Sequence, residues 1–548
     1  MSDENVIQSK PFAVTLDVGS SLLNKTGSWR TERPVYIDRL PPCNNGCPAG
    51  ENIQKWLSHA EEGDYESAWQ EIMKNNPLPA IMGRACYHPC EDVCNRAQLD
   101  TAVGINSVER FLGDEAIKNN WQVTVDKPAS GKKVLVIGAG PSGLSAAYHL
   151  ALSGHEVTIK EAGPVPGGMM RFGIPKYRLP RDVVDAEVQR IIDLGVKLNL
   201  NTRVDNIPET IETEGYDACF VAIGAHLANR VDIPAADASR VLDAVSVLRD
   251  METGDAPPQL GRRVVVYGGG NTAVDVARTA KRLGAEPVIV YRRTREQMPA
   301  HDFEIEEALE EGVVVNWLST ITSADEQGFQ IEKMALDENG RPQPTGEFEM
   351  IEADSMVMAL GQNVDTGILE QLPGVVISDR VVQVDDNMMT GHSGVFAGGD
   401  MVPSERTVTV AVGHGKKAAR HIDAFLRGDT YVKPPRHEIA SYDKLNTWYY
   451  TDADKTMQPL LDIARRTSTF EEVLGTLDEN NALFEARRCL SCGNCFECDN
   501  CYGVCPDNAV TKLGPGKRFE FKYDYCKGCS LCATECPCGA IAMIPEDI

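Results

Sequence analysis

The cysteines of this chain fall in spacings that bind metal. From Glu485 the sequence reads E-A-R-R-C-L-S-C-G-N-C-F-E-C-D-N-C-Y-G-V-C-P, and C-K-G-C-S-L-C-A-T-E-C-P follows and ends at Pro537. Two runs match C-x2-C-x2-C-x3-C-P, the spacing that wraps [4Fe–4S] cubanes. They are Cys495, Cys498, Cys501 and Cys505 with Pro506, and Cys526, Cys529, Cys532 and Cys536 with Pro537. In such a pair each run gives three thiolates to one cluster and its fourth to the other. The expected sets are therefore Cys495, Cys498, Cys501 and Cys536, and Cys526, Cys529, Cys532 and Cys505. Zinc is the rival, because C-x2-C pairs also build structural zinc sites. The doubled run with its trailing proline favours iron–sulfur. A disulfide framework fits worse, because such frameworks belong to small secreted domains. Cys489 and Cys492, just upstream, are left over.

A second chemistry sits in two glycine loops. K-K-V-L-V-I from Lys132 reads as a buried strand, G-A-G-P-S-G follows, and Leu144 to Ser153 reads as a helix. The next strand, Glu156 to Lys160, ends at Glu161. Gly138, Gly140 and Gly143 form G-x-G-x-x-G: two glycines for the turn and close approach to a pyrophosphate, a third for helix–strand packing. The phosphates then lie at the helix N-terminus, where free N–H groups favour negative charge. Glu161 stands where a carboxylate accepts the ribose hydroxyls.

The same unit recurs downstream. R-R-V-V-V-Y is a strand, G-G-G-N-T-A is the loop with Gly268, Gly270 and Ala273, Val274 to Leu283 is a helix, and Pro287 to Tyr291 is the second strand. Arg292, followed by Arg293, now stands where Glu161 stood. A guanidinium removes the diol acceptor and supplies a fork for a 2′-phosphate. The first site should take a nucleotide without a 2′-phosphate, and the second should prefer NADP(H). NAD(H) remains the alternative if the two arginines are ordinary surface charges.

Composition bounds the rest. At 548 residues the prior is three or four domains, and 42% hydrophobic with 24% charged is ordinary globular usage. A net charge of −26 argues against a nucleic-acid surface and suits docking on a basic partner. The start, MSDENVIQSK, lacks the regions of a signal peptide, and no run is long and apolar enough for a membrane helix. Cysteines in metal spacing favour a reducing compartment, so the cytoplasm is expected. Residues 1–125 show no strand series. Ile53 to Ala60 and Tyr65 to Asn75 carry helical periodicity near Cys43, Cys47, Cys86, Cys90 and Cys94, which predicts a helical domain tied by metal. Asp354 to Gly361 and Gly394 to Asp400 read as buried strands, Thr409 to Leu426 as a helix, and the stretch from Asp429 as a surface linker.

Together these motifs resemble one family: the small subunit of glutamate synthase and its relatives, FAD- and NAD(P)-binding electron-transfer flavoproteins that include the N-terminal part of dihydropyrimidine dehydrogenase. The likeness rests on C-x3-C-P at Cys43 to Pro48, G-R-A-C-Y-H-P-C-E-D-V-C at 83–94, V-I-G-A-G-P-S-G at 136–143 and G-G-M-M-R-F-G-I-P-K-Y-R-L-P at 167–180. It continues with Y-G-G-G-N-T-A-V-D at 267–275, Y-R-R-T-R-E-Q-M-P-A at 291–300, A-L-G-Q at 359–362 and F-A-G-G-D at 396–400. The C-terminal motifs Y-D-Y-C-K-G-C and E-C-P-C-G-A-I also resemble the ferredoxin-type subunit of 2-oxoacid:ferredoxin oxidoreductases.

The resemblance implies FAD at the first loop. Gly138, Gly140, Ser142, Gly143, Gly168 and Glu161 would surround its adenosine diphosphate half, and Arg178 would reach a phosphate. Gly399, Asp400 and Thr407 would face the ribitol and flavin. Gly268, Gly270, Asn271, Thr272, Arg292 and Arg293 would hold NADP(H). The implied fold class is α/β with two Rossmann-like dinucleotide-binding domains. The expected division is an N-terminal helical iron–sulfur domain at 1–125, a FAD domain at 130–235 and 385–428, and a NAD(P) domain at 236–384. A linker at 429–484 then leads to a ferredoxin-like two-cluster domain at 485–548.

One departure is informative. The family opens with E-A-x-R-C-L-x-C ahead of the pair seen here as Cys43 and Cys47, but this chain has Y-I-D-R-L-P-P there. E-A-R-R-C-L-S-C stands instead at 485–492. This implies that Cys489 and Cys492 fold back to share a cluster with Cys43 and Cys94. Cys47, Cys86 and Cys90 would hold another, with Glu109 in the place of the family's non-cysteine ligand. Cys219 and Cys538 remain as packed cysteines. The count is four clusters, or three if Cys489 and Cys492 bind nothing.

The implied activity follows from electron counting. A nicotinamide exchanges two electrons as hydride, a cubane takes one, and a flavin does both, so the cofactors carry the chemistry and no general acid or base is needed. NADPH, FAD and clusters would pass electrons, in either direction, to ferredoxin or to a larger catalytic subunit such as a 2-oxoacid:ferredoxin oxidoreductase. A hetero-oligomer is expected, with neither nucleic acid nor membrane as partner. The alternatives are the small subunit of glutamate synthase itself and a non-catalytic nucleotide-binding sensor or scaffold. His301 is expected to be a surface or supporting residue.

Overall fold

A computed structural model describes residues 24–546, apart from 232, 235–239, 255 and 327. The polar start of the chain and the expected boundary at 235–236 fall largely outside the described residues.

The first glycine loop belongs to a five-stranded parallel sheet. Its order is Val395–Ala397, Ala218–Val221, Lys133–Ile137, Glu156–Lys160, Lys197–Asn199. Parallel sheets are covered on both faces, so their central strands read as unbroken apolar runs. Val134 to Ile137 and Ala218 to Val221 are buried throughout. The helix Pro141–Leu152 leaves the loop and packs against the long helix Val408–Arg427. The two approach so closely that a Cβ on Gly415 would stand 2.3 Å from the Ser142 carbonyl oxygen.

The second glycine loop belongs to another five-stranded parallel sheet. Its order is Val314–Asn316, Glu286–Val290, Arg263–Tyr267, Ser355–Met358, Arg240–Asp243. The helices Ala244–Thr253 and Asn271–Arg282 cover one face. An antiparallel sheet of Ser319–Asp325, Gly328–Leu336 and Pro342–Ile351 covers the other, with Ile321, Phe329 and Ile331 against Val265 and Met356. The sequence reading missed this sheet. Pro342–Ile351 is exposed almost throughout, so it carries no apolar alternation to read. The chain also rejoins the first core earlier than residue 385, because Val364, Leu369, Leu372 and Val382 are buried there.

The N-terminal region is helical, as its periodicity predicts, over Ile53–Glu61, Tyr65–Met73, Pro79–Ala85 and Ile105–Lys118. The last two helices cross at glycines: a Cβ on Gly83 would lie 2.4 Å from Arg110 Cα, and one on Gly113 2.5 Å from Ala80 Cα. Glu187, from the flavin-side helix Arg181–Ile192, caps Pro79–Ala85 across the domain boundary. Its carboxylate accepts the N–H groups of Ala80 at 2.9 Å and Ile81 at 3.0 Å. The helix Glu479–Arg487 returns from the far end of the chain and adds Ala482 and Ala486 to this core.

Residues 1–125 show no strand series, but among the described residues they hold one strand that the sequence did not reveal. Glu32–Tyr36 pairs antiparallel with Ile541–Pro545, so this segment belongs to the C-terminal module. A five-residue edge strand containing Pro34 gives little signal when its partner lies at the opposite terminus. The segment after Asp429 runs over the surface but is pinned at intervals. Ile439 bridges Leu40, Arg466 pairs with Glu311 at 3.3 Å, and the Val473 N–H donates to the Tyr177 carbonyl at 2.9 Å. Among the described residues no helix is long and apolar enough to cross a membrane.

Candidate functional site

The first loop is shaped by contact with its own sheet and with the 167–180 segment. Gly138 has φ 103°, and a Cβ there would meet the Ala222 carbonyl oxygen at 2.5 Å. Gly168 has φ 52°, and its Cβ would stand 2.8 Å from Gly140 Cα. A Cβ on Gly143 would clash with the Gly138 carbonyl at 2.0 Å, so helix and strand pack as the spacing requires. Ser142, in the first turn of the helix, is 3% exposed, and its Oγ has no hydrogen-bond partner. A buried orphan hydroxyl among helix N-terminal N–H groups suits a pyrophosphate oxygen.

Around that cradle, Glu161 accepts the Ala139 N–H at 2.8 Å and the Gly163 N–H at 2.7 Å, which holds it at the end of its strand. Gly399 lies over Ser142, and the Gly399 N–H donates to His414 Nδ1 at 3.2 Å. Burial pushes the neighbouring Asp400 carboxyl above its usual range. Thr407 Oγ1 caps the helix Val408–Arg427 by accepting the Val410 N–H at 3.2 Å. These residues fit an adenine dinucleotide.

Arg178 departs from its expected role. Its guanidinium sits 2.9 Å from both oxygens of Asp275 and also pairs with Glu304, so it ties the two nucleotide domains together rather than standing free for a phosphate. Its charge already has two buried carboxylate partners.

At the second loop, a Cβ on Gly268 would meet the Ala359 carbonyl oxygen at 2.3 Å, while Gly270 faces open space. Thr272 follows in the first turn, half-buried. Arg292 is exposed, and Arg293 is half-buried with no hydrogen-bond partner for Nε. The Asn271 side chain is occupied at both ends. Its Nδ2 donates to Tyr87 Oη at 2.6 Å, and its Oδ1 accepts the His301 N–H at 3.1 Å. Tyr87 also stacks on the His301 ring at 3.7 Å between centroids. Sequence reasoning did not single out Tyr87: it stands within the 83–94 motif, but that motif belongs to the N-terminal domain and points only to its cysteines.

The cysteines lie in groups. Cys43, Cys94, Cys489 and Cys492 line one pocket, with Leu57 and Ile105 in its wall. The returning E-A-R-R motif fastens this fold-back. Glu485, fully buried, accepts the Gly104 N–H at 2.6 Å and the Thr456 N–H at 2.9 Å. Arg488 pairs with Glu485 and donates to the carbonyls of Thr101, Ala102 and Ala453. Burial, reinforced by Cys489, Cys94 and Cys492, drives the Cys43 thiol well up.

Cys47, Cys86 and Cys90 form the neighbouring group. Burial and then the Glu109 charge push Cys86 up to about 12. Burial, with Glu91, Cys47 and Cys86 beside it, raises Cys90. Asn76 Nδ2 donates to Glu109 Oε1 at 2.8 Å and to Glu51 Oε1 at 3.0 Å. Burial raises both carboxyls, Glu51 to about 7. Thiols so raised bind a metal only by losing their protons to it, and a cationic cluster core reverses the penalty.

In the C-terminal module Cys505, Cys526, Cys529 and Cys532 line a second pocket. Cys495, Cys498 and Cys536 surround Cys501, whose thiol is pushed up to about 11, first by burial. Tyr36 Oη stands 3.5 Å from Cys501 Sγ, reaching in from the N-terminal strand. Cys538 lies 3.7 Å from Cys536, sulfur to sulfur, and Cys219 is buried in the first sheet. Among the described residues no three His, Cys, Asp or Glu side chains close into a single-ion site. A cubane is larger than an ion, and its thiolates stand further apart.

Comparison with known proteins agrees with this geometry. A family model described as pyridine nucleotide-disulphide oxidoreductase matches residues 132–415. A second, described as dihydropyrimidine dehydrogenase domain II, 4Fe-4S cluster, matches 31–121. The NADP(+)-dependent formate dehydrogenase subunit beta of Moorella thermoacetica is 36% identical over an alignment of 500 positions that covers 82% of this chain and 70% of that protein. The NADPH-Fe(3+) oxidoreductase subunit beta of Geobacter sulfurreducens is 34% identical over 83% of this chain and 76% of its own length. The glutamate synthase [NADPH] small chain of Escherichia coli is 31% identical over 70% of this chain and 89% of its own.

Proposed function

The chain belongs to the pyridine nucleotide-disulphide oxidoreductase family, and from that premise we propose that it passes electrons between NADP(H) and a larger redox partner through an unbroken row of cysteine sites. It is an oxidoreductase of the FAD, NAD(P) and [4Fe–4S] class, built as an electron-transfer subunit. When bound, the flavin converts a two-electron hydride into single electrons and the clusters carry these onward.

The chain's own residues supply position and exclusion of water. Gly138, Gly140 and Ser142 leave room and a donor for the dinucleotide. Gly413 lets the flavin-domain helix lie against the Cys47 loop, since a Cβ there would meet the Pro48 carbonyl oxygen at 2.3 Å. Lys416, one turn of helix nearby, donates to the carbonyls of Ala49 and Gly50 and fixes that loop. The observation that carries the reading is the continuity of the cysteine groups. Cys47, Cys86 and Cys90 lie by the flavin domain, and Cys43 adjoins Cys90. Cys43 in turn shares its cavity with Cys489 and Cys492. Three residues on, Cys495 begins the C-terminal module, whose Cys498 and Cys529 are exposed. Electrons entering at the flavin would leave at that surface.

The partner is a larger catalytic subunit or a ferredoxin-type carrier. A relative named as a formate dehydrogenase beta subunit supports a partner that oxidises or reduces a small carbon substrate, which this chain would not itself bind. A 2-oxoacid:ferredoxin oxidoreductase partner fits the C-terminal motifs equally. Anaerobically purified chain, alone, should reduce a viologen dye with NADPH and bleach its cluster absorbance, with NADH slower. Nucleotide binding without dye reduction would favour a sensor or scaffold. A pull-down of the native complex then identifies the partner.

A further inference from the structure

We propose that Tyr87 of the iron–sulfur domain completes the nicotinamide-nucleotide site by positioning Asn271 at the head of the helix that receives the pyrophosphate. This rests on the reading of the second loop as the NADP(H) site.

Three domains meet at the N-terminus of Asn271–Arg282. From the flavin domain, Arg178 grips Asp275, one turn into that helix. From the same nucleotide domain, the His301 N–H holds Asn271 Oδ1. From the iron–sulfur domain, Tyr87 Oη accepts from Asn271 Nδ2 at 2.6 Å while its ring lies on His301 at 21°. Asn271 therefore has one orientation, set by two partners outside its own helix.

The opposite side of the loop is free. A Cβ built on Gly270 would meet nothing within 4 Å, while Gly268 and Gly269 are pressed against Ala359 and Tyr291. The loop is braced from the Tyr87 side and open on the side where a phosphate would enter. The Tyr87 hydroxyl is used at both ends: it accepts from Asn271 Nδ2 and donates toward Glu304 Oε1 at 3.5 Å.

The turn that presents Tyr87 is itself held by candidate cluster ligands. Cys86 precedes it and Cys90 follows, His88 takes a left-handed φ of 44°, and the His88 N–H donates to Cys86 Sγ at 3.2 Å. Such a conformation in a non-glycine residue persists only where its surroundings hold it. Nucleotide affinity at the second loop is thereby linked to the integrity of the Cys86–Cys90 turn in another domain.

The test uses the anaerobic holoenzyme and NADP+ as titrant in isothermal calorimetry. Tyr87→Phe keeps the ring on His301 and removes only the hydroxyl. It should weaken NADP+ binding about tenfold, the size of one hydrogen bond to a group left unpaired, with iron and flavin content unchanged. The KM for NADPH should rise more than kcat falls. Asn271→Ala should cost much less in the Tyr87→Phe background than alone, because the two side chains act as a pair. Unchanged NADP+ affinity in Tyr87→Phe, or full additivity with Asn271→Ala, would overturn the proposal. Wild-type holoenzyme that bound neither NADP+ nor NAD+ would instead remove the reading on which it rests.

Discussion

The two cysteine-rich regions hold the same ligand type in opposite ways. In the C-terminal module the ligands come from two local runs, and two of them, Cys498 and Cys529, are exposed. In the N-terminal domain every candidate thiol is buried or half-buried, and one set is assembled from residues some four hundred and fifty positions apart, Cys43 with Cys489 and Cys492. In the proposed reading the first arrangement would serve as a port, since an exposed cluster edge can meet a partner. The second would serve as an interior wire, shielded from water, with a potential set by burial and neighbouring charges. The E-A-R-R anchor, with Glu485 and Arg488 buried, binds the interior wire to the start of the port.

The largest effect that would break this contrast is the loss of a whole site. Cys489→Ala with Cys492→Ala should lower iron from about sixteen to about twelve atoms per flavin, leaving the C-terminal pair intact. Unchanged iron would mean that the fold-back holds no cluster.

Exposure sharpens the contrast next. Slow oxidation in the presence of a chelator should release iron in two phases. The faster one, about half of the total, should belong to the C-terminal pair with its exposed thiolates. A single phase would place both regions in equal contact with solvent.

The smallest expected effect concerns how the interior region docks on the flavin domain. Burial raises the Glu187 carboxyl to about 7 from 4.5 while it caps Pro79–Ala85. A raised acid binds more protons folded than unfolded across that window, so the stability it contributes is present below 4.5 and is lost as pH climbs to about 7. Glu187→Gln should flatten this slope in thermal melts of the N-terminal helices and leave the C-terminal module unaffected.

By itself the sequence determined what short-range spacing encodes. Both glycine loops, their flanking strands and helices, and the paired C-terminal cysteine runs were legible, because each is one local unit whose side chains need no distant partner. The displaced E-A-R-R-C-L-S-C motif was legible through its resemblance to the family's opening motif. Tertiary structure alone decided the rest. Glu32–Tyr36 found its strand partner at Ile541–Pro545, which no local pattern announces. Arg178, expected at a phosphate, is engaged instead by Asp275 and Glu304, and Asn271 takes its orientation from Tyr87 and the His301 backbone. A guanidinium or an amide can satisfy many acceptors and donors, and its choice depends on which groups the packing of three domains brings within hydrogen-bonding distance.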